Sequence, residues 1–253
     1  MASATREQAG GAHGAAVFRA LDGEIERMRG DSGGRTPRVL DVGGGSGTWA
    51  VPLASAGCAV TVVDTSPNAL ATLSRRAGEA GVTDRVTPIN GDVDTLAEVA
   101  PAGGADLVLG HGLLEVVDDP GAVLRALAEA TAPGGVVSVL TVGRYGAFIG
   151  RVAAGRLAEA RAVLTDPDGR DGPDDRLVRR FDASYLRSLV AATALLDIGT
   201  LQGDGTLEAW LPGPGPDGEA AGRDERDELD ALASTVPSLA EVAPRLHLLA
   251  RRR

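Results

Sequence analysis

Arg38-Val39-Leu40-Asp41-Val42-Gly43-Gly44-Gly45-Ser46-Gly47 reads as a buried strand that runs straight into a glycine loop. Val39 to Val42 is short and carries two valines, with Pro37 before it and glycines after it. Glycines let the backbone turn tightly and approach a ligand with no side chain in the way. Thr48 to Ala56 has helical composition, and Pro52 is tolerable only in the first turn of such a helix. Strand, loop and helix make a nucleotide-binding corner in which amide groups at a helix start face the ligand. Spacing narrows the choice of ligand. Dinucleotide loops read Gly-x-Gly-x-x-Gly, and here the third glycine position is Thr48. The pattern present is Asp-x-Gly-x-Gly-x-Gly, at Asp41, Gly43, Gly45 and Gly47.

Around that corner, strands alternate with helices. Gly14 to Arg29 has helical spacing, with Val17, Phe18, Leu21, Ile25 and Met28 on one face. Strands are expected at Ala59 to Asp64, Arg85 to Asn90, Ala105 to Gly110 and Val136 to Val142. Ser66-Pro67 opens one helix, and Asp119-Pro120 opens another that runs to Thr131. Pro133-Gly134-Gly135 ends the latter. This order predicts an α/β fold with a parallel, doubly wound sheet. After residue 143 the pattern changes. Tyr145 to Leu164 is apolar and helical, weakened by Gly150 and Gly155. Thr165 to Asp175 is an Asp/Gly/Pro-rich loop, Asp182 to Ala194 a helix, and Leu196 to Gln202 a strand. Leu211 to Gly222 is a Pro/Gly linker and Arg223 to Ser234 a charged helix. Arg245 to Ala250 is a last strand, expected antiparallel beside Leu196 to Gln202. A single domain over 1–253 is the simplest division. It comprises an N-terminal helix or lid (1–37), a core (38–142), a helical insertion (143–181) and a C-terminal part (182–253), whose linker and helix span 211–244.

The net charge is −10, so no global basic field attracts nucleic acid or an anionic membrane. All 25 basic residues are arginine. One cysteine, Cys58, excludes an intramolecular disulfide and a cysteine-based zinc site, and it reads as a small buried residue. No metal site is expected. With no long apolar segment and no signal-type N-terminus, the expectation is a cytoplasmic protein.

Three further stretches fall at the carboxyl ends of the expected strands, where open α/β sheets bind ligands. Asp64 ends the second strand, where a carboxylate can accept both hydroxyls of a ribose; an Asp that merely starts a turn fits there too. Asp92-Val93-Asp94 follows the third strand and offers an adenine an acceptor and an apolar wall, or simply a helix cap. His111-Gly112 follows the fourth. His111 is a candidate proton acceptor, beside the alternative of a ring-packing or backbone-contact role. Glu115 is expected to be a solvated residue at a helix start. Arg144, Tyr145 and Arg151 flank the insertion with Arg156, Arg179 and Arg180. They are placed to grip an anionic acceptor, although solvated arginines on a helical lid are the default.

The glycine pattern resembles the S-adenosylmethionine (SAM) loop of class I methyltransferases. Together with His111-Gly112-Leu113-Leu114-Glu115, Asp119-Pro120, Pro133-Gly134-Gly135, Ala154-Gly155 and Leu246-His247, the chain resembles the bacterial tRNA carboxymethoxyuridine methyltransferases over nearly its whole length. The resemblance implies a Rossmann-like seven-stranded sheet with an antiparallel last strand and a helical insertion after the fifth. It implies SAM contacts at Gly43, Gly44, Asp64, Val93, Asp94 and His111, and esterification of a carboxylate on a wobble uridine. Three departures stand out. His13 occupies the place of a family arginine near the cofactor, with nearby Arg19 as the alternative. Asp166 to Asp175, with five aspartates, replaces a lysine-rich segment. Gly203-Asp204-Gly205-Thr206-Leu207 lacks the arginine of the matching stretch. Phosphate contacts dominate nucleic-acid affinity, so these changes favour a small acceptor over tRNA. A protein that binds SAM without catalysis is the reading from another class, because the residues certify no catalytic group.

Overall fold

The computed structural model describes residues 14–31, 33–207, 209 and 223–253. His13 and the linker 211–222 lie outside them. Seven strands form one sheet: β1 (Arg38–Val42), β2 (Ala59–Asp64), β3 (Val86–Asn90), β4 (Ala105–His111), β5 (Thr131–Val142), β6 (Leu196–Asp204) and β7 (Arg245–Arg252). Their order is β3-β2-β1-β4-β5-β7-β6. The first five pair in parallel, and β7 runs antiparallel between β5 and β6. The last strand therefore lies where its Leu246-x-Leu248 alternation pointed. Both leucines are buried.

Helices cover both faces, as crossovers between parallel strands require. On one face α1 (Ala15–Asp31), α2 (Ala50–Ser55) and α3 (Pro67–Glu79) pack Leu21, Ile25, Leu53 and Leu73 against Leu107, Leu109 and Leu140. On the other, α4 (Leu96–Val99), α5 (Pro120–Ala130) and α8 (Ala183–Thr193) pack Leu96, Leu124, Leu127 and Leu186 against Val108, Val137 and Leu248. Cys58 is fully buried, as its small apolar character suggested. The helix after the glycine loop starts at Ala50, later than expected, after a turn at Thr48 and Trp49. The Pro133-Gly134-Gly135 stop also differs from a plain helix end. Thr131 pairs with Ala105 and pairing resumes at Val136 with Leu107, which leaves the stop outside the register. No helix among the described residues is long and apolar enough to cross a membrane.

The insertion is two helices, not one. α6 (Arg144–Ala153) and α7 (Leu157–Thr165) are separated at Gly155, whose φ of +71° ends the first as glycine commonly does. Its base is pinned: Phe181 donates to the Val142 carbonyl (3.0 Å), and Arg144 donates to that of Phe181 (2.7 Å). Two further helices, α9 (Arg223–Thr235) and α10 (Pro237–Ala240), lead into β7. Arg19 of α1 faces Asp230 of α9 at 3.8 Å.

Candidate active site

The loop after β1 leaves the sheet with positive φ at Gly43, Gly45 and Gly47, a path that side-chain-bearing residues rarely follow. Gly44 is needed for space. A Cβ there would stand 2.5 Å from the Asp41 carboxyl and 2.9 Å from Val62. Asp41 is buried at 1 % exposure, and neither carboxylate oxygen has a hydrogen-bond partner. Burial, reinforced by the charge of Asp64, pushes its pKa up to about 7. Asp64 closes the corner from β2. One carboxylate oxygen accepts from the Gly45 amide and the other from the Ser66 amide, both at 2.8 Å. The second contact is the turn-starting bond weighed as an alternative, and each oxygen retains a lone pair for a ligand hydroxyl.

Beside this corner opens a cleft of about 680 Å³. Gly43, Asp64, Asp92, Val93 and Asp94 line it, together with Gly112, Leu113, Val116, Asp118 and Asp119. Asp92 also accepts from the Asp94 amide at 3.2 Å, so it caps a short 3-10 turn and faces the cleft at once. The lining holds five aspartates and no basic residue. Asp118 and Val116 were missed in the sequence, although they directly follow the His111-Gly112 motif. Asp119 had been read only as a helix cap, which it also is.

His111 ends β4 next to Gly112 but does not line the cleft. Its ring meets Trp49 edge to face, with centroids 4.6 Å apart, and Trp49 in turn packs on Phe18 at 4.5 Å. Burial, then the neighbouring His247 and Arg245, hold its pKa well below the usual histidine range. A neutral, packed imidazole is what results.

Glu115 departs most from its expected role. It is 3 % exposed, and its Oε1 accepts from the Val142 amide at 3.0 Å. Its carbonyl accepts from the Val178 amide at 2.8 Å, so it ties β4, β5 and the return of the insertion together. Burial raises its carboxyl to about 7, against the pull of the backbone amides. Of the insertion arginines Arg156 is exposed and pairs with Glu159, whereas Arg144, Arg151, Arg179 and Arg180 are engaged within the protein. The Arg144 guanidinium donates to the carbonyls of Val163, Leu164, Asp166 and Pro167, closing the C-terminal end of α7, where cations are favoured. Arg151 pairs with Asp171, Arg180 with Asp175, and Arg179 lies 3.9 Å from Asp168. Neither Arg144, Tyr145 nor Arg151 lines the cleft. Tyr145 instead borders a shallow groove with Asp182, Tyr185 and Glu241.

Residues 13–195 match the family described as a methyltransferase domain. The chain belongs to that methyltransferase family. Among curated relatives, a ubiquinone biosynthesis O-methyltransferase of Caulobacter sp. (strain K31) is 39 % identical over 124 residues, 47 % of this chain and 48 % of that protein. A tRNA 5-carboxymethoxyuridine methyltransferase of Escherichia coli (strain K12) is 31 % identical over 141 residues, 56 % of this chain and 54 % of that protein. The matches thus span about half the length of these relatives. A magnesium protoporphyrin IX methyltransferase from Synechocystis PCC 6803, solved with bound S-adenosylhomocysteine, shares the fold at a TM-score of 0.58 and 15 % identity. That match covers 94 % of this chain and 84 % of the other. The strand order, with β7 antiparallel, is the class I methyltransferase arrangement that the glycine loop implied. In methyltransferase terms, the glycine corner and the cleft meet at the carboxyl ends of the first four strands. The insertion begins where the fifth ends.

Proposed function

We propose that the protein transfers a methyl group from SAM to a small nucleophilic acceptor, in the cytoplasm. One observation carries the cofactor: a nucleotide-sized cleft beside a glycine corner, lined by five aspartates and no cation. SAM brings a sulfonium and an ammonium to such a cleft, whereas the pyrophosphate of a dinucleotide brings negative charge to it. In this reading Asp64 accepts the ribose hydroxyls, and Asp92, Val93 and Asp94 frame the adenine. Gly43, Gly44, Gly45 and Gly47 let the backbone reach the amino-acid portion, and Asp41 lies beneath them. His13 is the remaining candidate from the sequence, outside the described residues.

SAM supplies an already activated methyl group. What is left to the chain is to bind, to align the acceptor within ~3–3.5 Å and to exclude water. A carboxylate acceptor needs no base. Pairing of Arg151 and Arg180 with Asp171 and Asp175 supports the small acceptor, because it takes up two of the cations an RNA backbone would need. Exposed Val152, Leu157 and Leu164 give α6 and α7 apolar surface. The likeness to the Escherichia coli protein keeps a tRNA wobble carboxylate as the second reading. The test supplies SAM with a labelled methyl group to cell extract and separates RNA from metabolites. Label in the metabolite fraction is the expected result. Label chiefly in tRNA overturns the small-acceptor reading, and SAM binding without any transfer overturns catalysis.

A further inference from the structure

Four strands contribute one polar side chain each to a continuous chain of hydrogen bonds. His111 Nε2 lies 2.8 Å from Ser138 Oγ, which lies 2.9 Å from His247 Nε2. His247 Nδ1 lies 3.1 Å from Gln202 Nε2, which donates to the Ala16 carbonyl at 3.1 Å. Ser138 and His247 are fully buried and Gln202 is 6 % exposed, so water does not complete these bonds. A half-satisfied network in such a place is costly, and a satisfied one fixes every proton.

The protons can be assigned from one end. An amide nitrogen only donates. Gln202 Nε2 touches a carbonyl and a ring nitrogen, and flipping the amide would set its oxygen against the Ala16 carbonyl. His247 Nδ1 therefore accepts and is bare. Its Nε2 must carry the hydrogen, which goes to Ser138 Oγ. Among the described residues Ser138 Oγ has no hydrogen-bond partner besides the two rings, so its one hydrogen points to His111 Nε2, which is bare in turn. His111 accordingly holds its hydrogen on Nδ1, the ring atom that is buried and has no partner. Burial first, and then the Arg245 guanidinium on β7, point the same way, since both disfavour a second proton on His111.

We propose that Ser138, His247 and Gln202 are positioning residues that hold His111 as a neutral imidazole protonated on Nδ1, so that it serves the carboxyl edge as a hydrogen-bond donor and not as a base. The donor's use in methyl transfer rests on the function proposed above; the proton assignment does not. The Nδ1 hydrogen suits an oxygen ligand, and a carboxylate most. His111 does not line the cleft and its Nδ1 is buried, so a ligand oxygen takes this hydrogen only by displacing the packing around the ring; the carboxylates of the cofactor and of the acceptor are the two candidates.

The test begins with the unmodified full chain. It contains three histidines, so single substitutions assign each ring in two-bond proton–nitrogen correlation spectra. From pH 5 to 8.5, His247 should show a protonated Nε2 and His111 a protonated Nδ1, with neither ring titrating. The opposite tautomer at either ring, or a proton gained by either ring above pH 5, overturns the relay. Ser138→Ala should mix the His111 tautomers and lower kcat roughly 10–100-fold, by analogy with the loss of the partner behind a metal-bound histidine. Ser138→Thr, which keeps the hydroxyl, should restore the tautomer and most of kcat. Unchanged spectra and kcat in Ser138→Ala overturn the proposal; if that variant does not fold, the spectra of the unmodified chain decide alone. Adding S-adenosylhomocysteine distinguishes the two carboxylates. A shifted His111 Nδ1 hydrogen assigns the donor to the cofactor, and a shift only on adding acetate beside S-adenosylhomocysteine assigns it to the acceptor. No shift with either overturns the donor role while leaving the tautomer assignment intact. Spectra as expected in a protein that transfers no methyl group would leave the relay standing and refute only the function.

Discussion

The glycine corner and the insertion treat charge in opposite ways. At the corner, Asp41 is buried with no hydrogen-bond partner and the cleft gathers five aspartates without a cation. In the insertion, Arg144 is spent on four carbonyls, and Arg151 and Arg180 on Asp171 and Asp175. Internal pairing closes the second region. Polarity left open marks where a cationic ligand belongs, whereas matched polarity marks scaffold, whatever the composition suggests.

The sharpest way to break this comparison is Arg180→Ala. Both partners of its pair with Asp175 have side chains only 5 % exposed, and removing one leaves a buried charge. The expected loss is about 3–5 kcal/mol of stability in denaturant titration, with SAM affinity of the folded fraction unchanged. A matching loss of affinity would mean that the insertion belongs to the cofactor site.

The second test concerns Asp41 and pH. Its folded carboxyl near 7 exceeds an unfolded value of about 3.9. The unfolded chain therefore binds fewer protons between those values, and stability falls as pH rises through the window. Buried His247, lowered to about 3, acts in the other direction up to about pH 6.5. Asp41→Asn removes only the first effect. The variant should gain about 3 kcal/mol on the unmodified protein between pH 5 and 8, read from melts across that range. SAM should abolish this gain by neutralising Asp41. A pH-independent difference would show that Asp41 is ionised throughout.

A smaller effect is expected from Asp64→Ala, about 1–3 kcal/mol of SAM affinity for the lost charged hydrogen bonds. Calorimetry checks it, and NAD should not bind either protein. The smallest effect concerns RNA. Paired arginines should leave few phosphate contacts, each contributing about 0.7–0.9 to the slope of log K against log salt. A filter-binding series should give weak tRNA binding and a shallow slope, and a steep slope would reopen the insertion as an RNA surface.

What could be read from the sequence follows the same division. β1, the glycine loop and Asp64 were legible because their geometry is local: a strand period, an obligatory positive φ, a carboxylate at a strand end. The last strand was legible from a single apolar alternation. Glu115 was not, since the amides that fix it belong to Val142 and Val178. The five aspartates of 166–175 stand in the sequence in place of positive charge, but the fold pairs Asp171 with Arg151 of α6 and Asp175 with Arg180, which no local pattern shows. Ser138, Gln202 and His247 carry no motif together, because four strands and an antiparallel insertion bring them into line with His111.

That placement of β7 has a kinetic side. Among the parallel strands the longest reach is from β1 to β4, Val39 to Leu107, whereas β7 must find β5 across roughly a hundred residues, a slower closure in a topology-limited search. The last contacts to form are then those of His247. A folding intermediate would hold the glycine corner assembled while His111 still lacks its backing, able to take up cofactor before it can orient the donor. Pulse-labelled hydrogen exchange should find the amides of β7 protected after those of β1 and β4, and regained activity should follow β7.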